Sequence, residues 1–157
     1  MNHTERLLLR VELEELNAEF AYLIDHDLSE QVADLFTADG SYGRSTGEMS
    51  VGHDAIRQAY GARRARGPRT ARHIFTNLRL GSVSEDRVEA TSILTLFASD
   101  GEPPHAAEPL LVADYADTCR RCDDGRWRYL SRTATWLFRH PSGAASPLQL
   151  GSNGSAK

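Results

Sequence analysis

Residues 72–80 read Arg72-His73-Ile74-Phe75-Thr76-Asn77-Leu78-Arg79-Leu80, and here the chain changes period. Ile74, Thr76, Leu78 and Leu80 alternate with His73, Phe75, Asn77 and Arg79, the spacing of a strand whose side chains project to opposite faces. Upstream the spacing is helical. Leu9, Leu13, Leu16, Phe20 and Leu23 recur at steps of four, three, four and three, an apolar stripe behind a Thr4 cap. Asp27-Leu28-Ser29-Glu30 has the form of a capping box, which predicts a short second helix with Val32, Leu35 and Phe36 as its apolar face, ended by Asp39-Gly40. Ser41–Ser50 reads as a weak strand or hairpin broken by Gly43 and Gly47. Gly52-His53-Asp54 then introduces a third helix carrying Ile56 and Tyr60, with a basic end over Arg63–Arg72 that reads as a solvated helix end or, in the alternative, as a contact for an anionic substrate or partner.

Downstream of the switch, three more β-rich runs follow: Arg87–Ser99, Leu110–Arg121 and Arg126–Arg139, separated by Asp100–Pro109 and an Asp123-Asp124-Gly125 turn. Each exceeds the usual strand of ~5–6 residues, as expected of a sheet that curves strongly. Helices first and antiparallel strands afterward predict an α+β fold: a curved, mainly antiparallel sheet with N-terminal helices, enclosing a cone-shaped cavity. The chain has 157 residues, which predicts one domain, taken as residues 1–139. The Gly-, Ser- and Ala-rich stretch 140–157 reads as a flexible end.

Composition narrows the function classes. With 22 acidic and 18 basic residues the net charge is −4, so there is no broad basic footprint for nucleic acid or anionic lipid. No apolar run approaches the ~18–20 residues of a membrane span, and Met1–Leu9 lacks the features of a signal peptide. A soluble cytoplasmic protein is expected, without nucleic-acid or membrane partners. Cys119 and Cys122 form a lone C-x-x-C with no second pair, which favours two reduced thiols over zinc, and no metal site is expected. Gly-rich phosphate loops, G-x-S-x-G and H-E-x-x-H are absent from the sequence.

The remaining candidates are acid–base groups. Asp25 falls about 160° from the leucine stripe, on a face shared with Val11, Ala18, Ala21 and Tyr22. The residues alone leave it two readings, a solvated carboxylate or one facing a cavity. His73 opens the first clear strand, where it is either an exposed edge residue or a base. Paired, an aspartate fixes the tautomer of a histidine and stabilises its charged form while the other ring nitrogen removes a proton. Tyr22, Tyr42 and Tyr115 are candidate hydroxyl donors, Leu94 and Leu96 candidate cavity wall, and Ser131 and Arg132 candidate substrate contacts on the last strand.

Ala21–Asp25, Val32–Phe36 running into Thr37-Ala38-Asp39-Gly40, Gly52-x-x-Ala55-Ile56, Arg72-His73-x-x-Thr76-Asn77-Leu78, Tyr115-x-Asp117 and Asp124-Gly125-x-Trp127-Arg128 occur in that order. Over most of residues 5–139 the chain thereby resembles the SnoaL-like family of the nuclear-transport-factor-2-like superfamily. That resemblance implies a curved sheet and helices around a cone-shaped cavity, and an assembly as homotrimer or homodimer. Its likeness to γ-hexachlorocyclohexane dehydrochlorinase, and more distantly to scytalone dehydratase and bile-acid 7α-dehydratase, implies a His–Asp dyad, matched by His73 and Asp25, working without cofactor. The dehydrochlorinase likeness would also call for a lysine on the first helix before the aspartate, but Phe20 sits in that stretch and no lysine occurs on the helix, so dehydrochlorination is not carried over. An arginine on the last strand has Arg132 as its nearest match.

The function expected is a cofactor-independent lyase or isomerase, a dehydratase, double-bond isomerase or polyketide-type cyclase, acting on a mainly apolar cyclic small molecule. In the alternative the chain is a non-catalytic binding or assembly subunit, like the small subunit of ring-hydroxylating dioxygenases.

Overall fold

The computed structural model describes residues 1–141; the expected flexible end lies, from residue 142 onward, outside the described residues. The leucine stripe forms helix α1, His3–Asp25, and buries Leu9, Leu13, Phe20 and Leu23. Its cap is Asn2 rather than Thr4. The Asn2 side chain accepts from the Glu5 N–H at 2.9 Å and the Glu5 carboxylate accepts from the Asn2 N–H at 2.7 Å, a reciprocal box that places Thr4 inside the first turn.

The second helix is a 3-10 segment, Ser29–Leu35, with no side-chain cap. Asp27 does not cap it; it takes the left-handed conformation, φ 60°, and turns the chain out of α1. Strand β1, Phe36–Arg44, follows at once, so Phe36 and Asp39-Gly40 belong to the sheet and do not end a helix. Gly40 lies in the irregular stretch of β1 between Phe36 and Ser41, where an added Cβ would fall 2.9 Å from the Tyr129 carbonyl oxygen. Strand β2, Met49–Val51, completes the hairpin, and helix α2, His53–Arg64, buries Ile56 and Tyr60.

The long strands are β3 (Arg69–Val83), β4 (Arg87–Asp100), β5 (Leu111–Arg121) and β6 (Trp127–Arg139). The six-stranded sheet runs β2-β1-β6-β5-β4-β3, antiparallel except where β1 pairs parallel with β6. α1 crosses β3 and reaches β6, and α2 covers the 3-10 segment and β1. The helices thus close the concave face of a bent sheet.

One feature of β3 departs from the simple alternation. Thr76 pairs with Ile93 and Arg79 with Thr91, so Asn77 and Leu78 together oppose one residue of β4. Asn77 takes φ 55°, a left-handed conformation that asparagine tolerates better than most residues. The resulting bulge reverses the facing of the strand. Ala71, Leu78 and Leu80 are buried together on the inner side with the partly buried Phe75, whereas Ile74 is 46% exposed. His73, two residues from Ala71 and from Phe75, therefore looks inward with Leu78 and Leu80, not away from them.

Phe20 is the hub of the core. Its fully buried ring meets Tyr42, Tyr60, Phe75 and Tyr129 edge-on, with centroids 5.8 to 6.5 Å apart. Such contacts add roughly 0.5–1.5 kcal/mol each beyond area burial. Cys119 and Cys122 are free thiols. Among the described residues, no helix is long and apolar enough to cross a membrane, and no three His, Cys, Asp or Glu side chains converge to hold a metal ion.

Two exposed pairs fasten the sheet from outside. Hydrogen bonds from Arg120 hold the Asp39 carboxyl down at about 2, and those from Arg128 hold Asp124 down at about 2. A carboxylate whose folded value is depressed stabilises the fold above its unfolded value, near 3.8, and that contribution is lost as pH falls toward 2. The urea midpoint is expected to drop over that window, and to drop less in an Asp39→Asn/Asp124→Asn variant. An identical acid limb in wild type and variant would assign the loss to other carboxylates.

Candidate active site

α1 ends over β3, one of the two edge strands of the sheet. An edge strand presents backbone N–H groups with no strand partner. Asp25, the last residue of α1, uses this edge. Its Oδ2 accepts the His73 backbone N–H at 2.9 Å and its Oδ1 lies 2.6 Å from His73 Nδ1. The two side chains are only 7% and 12% exposed. A carboxylate at a helix C-terminus opposes the macrodipole by roughly 0.3–1 kcal/mol, a cost the two hydrogen bonds offset.

An ionised carboxylate only accepts hydrogen bonds, so the neutral His73 ring carries its proton on Nδ1. Nε2 then presents a lone pair. It has no hydrogen-bond partner among the described residues. His73 lines the cavity between helices and sheet, whereas Asp25 stands behind it.

Tyr42, Tyr60, Tyr115, Leu94 and Leu96 form the wall around His73. The Tyr42 and Tyr115 hydroxyls lie 3.4 Å apart, and the Tyr60 ring stacks on Tyr42 with centroids 5.8 Å apart. Burial pushes all three phenols upward, so they meet a ligand as neutral hydroxyl donors. The interior amounts to about 80 Å³. An apolar cavity of ~150 Å³ takes up benzene, so a cyclic ligand here would extend into the mouth. Arg63, Arg64, Gly67 and Arg69 form that mouth.

Of the sequence candidates, the structure brings together Asp25 and His73, and sets Tyr42, Tyr115, Leu94 and Leu96 on the same cavity. It does not bring Tyr22 there. That side chain is 53% exposed on the outer side of α1, its ring 4.3 Å from that of His26. The face that Tyr22 shares with Ala18, Ala21 and Asp25 borders a separate, open groove between α1 and β3, which His73 also lines.

Ser131 and Arg132 also leave the cavity. Successive strand residues face opposite sides, so one of the two had to point outward. Ser131 pairs with Thr118 and is half-buried on the outer side. Arg132 faces inward but lies deeper than the cavity wall, completely buried. Its Nε and Nη2 each donate to Asp117 at 3.0 Å, and Nη2 also donates to Asn17 Oδ1. Tyr129 donates to the same Asn17 oxygen at 2.9 Å. The guanidinium sits 4.0 to 4.8 Å from the ring centroids of Phe20, Phe75, Tyr115 and Tyr129. Burial works against its charge, but Asp117 and the surrounding rings more than offset this, and the guanidinium stays protonated.

Several of these residues escaped the sequence reading. Asn17 was visible as the polar member of the apolar stripe, four residues after Leu13, and Asp117 as a charge alternating with Tyr115 and Cys119. The sequence marks Tyr60 as core, and Arg63 and Arg69 as part of a basic helix end that either is solvated or meets an anionic substrate or partner. Nothing local marks those arginines as part of a cavity, because the loop between α2 and β3 brings them there.

The fold is that of cystatin-like and nuclear-transport-factor-2-like proteins, three helical segments against a curved, unclosed sheet. The chain belongs to the SnoaL-like domain family, whose model matches residues 5–133. No curated protein matches it in sequence. Among solved structures it is similar to a Catenulispora acidiphila protein in complex with S-DNPA, at 24% identity and TM-score 0.71, over 83% of this chain and 94% of that one. It is also similar to a candidate scytalone dehydratase from Novosphingobium aromaticivorans, at 21% identity and TM-score 0.73, over 90% and 97%. A third is the β subunit of a candidate aromatic-ring-hydroxylating dioxygenase from the same species, at 20% identity and TM-score 0.72, over 86% and 93%. At these identities the likeness speaks for the fold.

Proposed function

We propose that the chain is a cofactor-independent lyase or isomerase that removes a proton from a mainly apolar cyclic small molecule. The observation that carries this reading is the pair of hydrogen bonds that the backbone and ring N–H of His73 donate to the Asp25 carboxylate, which leaves Nε2 without a partner among the described residues on a side chain that lines the cavity. In the reaction Nε2 takes a proton from a carbon beside an electron-withdrawing group, and Asp25 holds the ring and stabilises the imidazolium. The Tyr42 and Tyr115 hydroxyls are suited to the oxygen on which negative charge develops. The imidazolium then returns its proton to a leaving hydroxyl, to a second carbon, or to the oxygen formed in an intramolecular cyclisation. These outcomes correspond to dehydratase, double-bond isomerase and polyketide-type cyclase, and all three share the first step.

That first step has a direct assay. Cyclic ketones and β-hydroxy ketones incubated with the protein in deuterium oxide are expected to gain deuterium at the α carbon, followed by proton NMR. Incorporation that is no faster with wild type than with His73→Ala contradicts the reading.

A protein assembly through the outer sheet surface is compatible with this chemistry. Leu137 and Phe138 at the end of β6 are 52% and 69% exposed, apolar area of the kind that association covers. Homotrimer or homodimer formation by light scattering fits the enzyme; a fixed stoichiometry with a larger unlike chain would favour the assembly-subunit reading suggested by the dioxygenase β-subunit likeness.

A further inference from the structure

The mouth of the cavity holds hydrogen-bond donors that the protein itself does not satisfy. Arg63 and Arg69 line it with side chains only 11% and 13% exposed. Arg63 Nε and Arg69 Nη1 are buried and have no hydrogen-bond partner among the described residues. Leaving a buried donor unpaired is costly, so two on neighbouring guanidiniums at one cavity mouth call for an acceptor.

The charges point the same way. Arg63 Nη2 donates to Asp100 Oδ1 at 2.8 Å, and Arg69 Nη1 lies 3.5 Å from the same oxygen. Two guanidiniums thus share one carboxylate, itself 58% exposed. Asp100 is the cross-strand partner of Arg69, where the last residue of β4 meets the first of β3. Asp100 itself does not line the cavity; Arg64 is taken by Glu30, and Asp27, the carboxylate that does line it, is exposed and makes no ion pair with Arg63 or Arg69 among the described residues. Burial and the neighbouring Arg63 both act against the Arg69 charge, more than Asp100 compensates.

We infer that Arg63 and Arg69 form an anion subsite for a carboxylate on the substrate. This rests on the proposed proton-transfer function and adds to it a substrate class, a cyclic molecule bearing a carboxylate. Arg69, Ala71 and His73 lie on one face of β3, so the Cα atoms of Arg69 and His73 are separated by four residues of strand, roughly 13 Å. The carboxylate is therefore a handle at the remote end of the substrate. It is not the electron-withdrawing group beside the proton that His73 removes. The ring lies between the two sites, against Leu94, Leu96 and Leu111.

The test uses benzoate and its neutral isostere benzamide as probes, titrated into the nitrogen-15-labelled full chain. Benzoate is expected to shift the amides of Ala71, Leu96 and Leu111 and to bind about tenfold tighter than benzamide, the preference one charge-assisted pair provides. Arg63→Gln/Arg69→Gln is expected to abolish the preference. Asp100→Asn, which keeps both arginines and removes their competitor, is expected to tighten benzoate, a gain that misfolding would not produce. Absent shifts, equal affinity for the two probes, or a preference that survives in the double variant overturns the subsite. Binding is read without turnover, so His73→Ala that loses deuterium exchange yet keeps the benzoate preference separates the two proposals, and each can fail alone.

Discussion

His73→Ala is expected to lower α-carbon exchange and turnover about 10²- to 10⁴-fold, the range that a positioned general base contributes. The loss follows from the geometry: no other imidazole lines the cavity, and the three phenols there are pushed upward by burial and cannot serve as bases. Asp25→Asn should fall in the same range for a different reason. An asparagine has one accepting oxygen, and His73 offers two donors, its backbone N–H and Nδ1–H. One of the two bonds is lost and the ring is free to flip its tautomer. Both variants should remain folded, because His73 borders a cavity and the Asp25 contact closes only the last turn of α1. The checks are exchange rates alongside thermal unfolding. Wild-type exchange in a folded His73→Ala protein would remove the histidine from the mechanism.

Asp117→Ala is expected to be the most destabilising single change, by about 3–5 kcal/mol, because it strands the fully buried Arg132 charge among aromatic rings. For a domain this size, ~1 kcal/mol corresponds to ~2–4 °C, so Tm should fall by about 10 °C. Asp117→Ala/Arg132→Met should recover much of that loss, since the double change removes both the unpaired charge and the cost of burying it. Equal losses in the single and double variants would show that the stranded Arg132 charge is not the source of the loss. The cluster explains why Arg132 faces inward without reaching the cavity: Asp117 and Asn17 accept from its Nε and Nη2 deeper in the core, while Nη1 has no hydrogen-bond partner among the described residues.

How much of this was legible before any coordinates differs by element. The α1 stripe, the change of period at His73, the four long β runs and α2 follow from local patterning, and local patterning is strong when one face is buried. The 3-10 segment and the early start of β1 do not, because the Asp27-to-Glu30 box mimics a cap while Asp27 takes a turn conformation. Facing was the harder problem. The bulge at Asn77 and Leu78 shifts His73 to the side of Leu78, and the irregularity of β6 before Ser131 decides that Arg132, not Ser131, points in. Such one-residue slips leave composition unchanged and reverse every side chain beyond them. The parallel pairing of β1 with β6 and the meeting of Asp25 with His73 across 48 positions are tertiary facts that no window of sequence contains.

The measurement that bears most directly on the mechanism is the tautomer of His73, read from its ring nitrogens by long-range proton–nitrogen-15 NMR at a pH where the ring is neutral. With Asp25 intact the proton should reside on Nδ1 and Nε2 should be bare. In Asp25→Asn that preference should weaken or disappear. A wild-type His73 that carries its proton on Nε2, or a preference indifferent to Asp25, would contradict the account, for the nitrogen facing the cavity would then have no lone pair with which to take a proton.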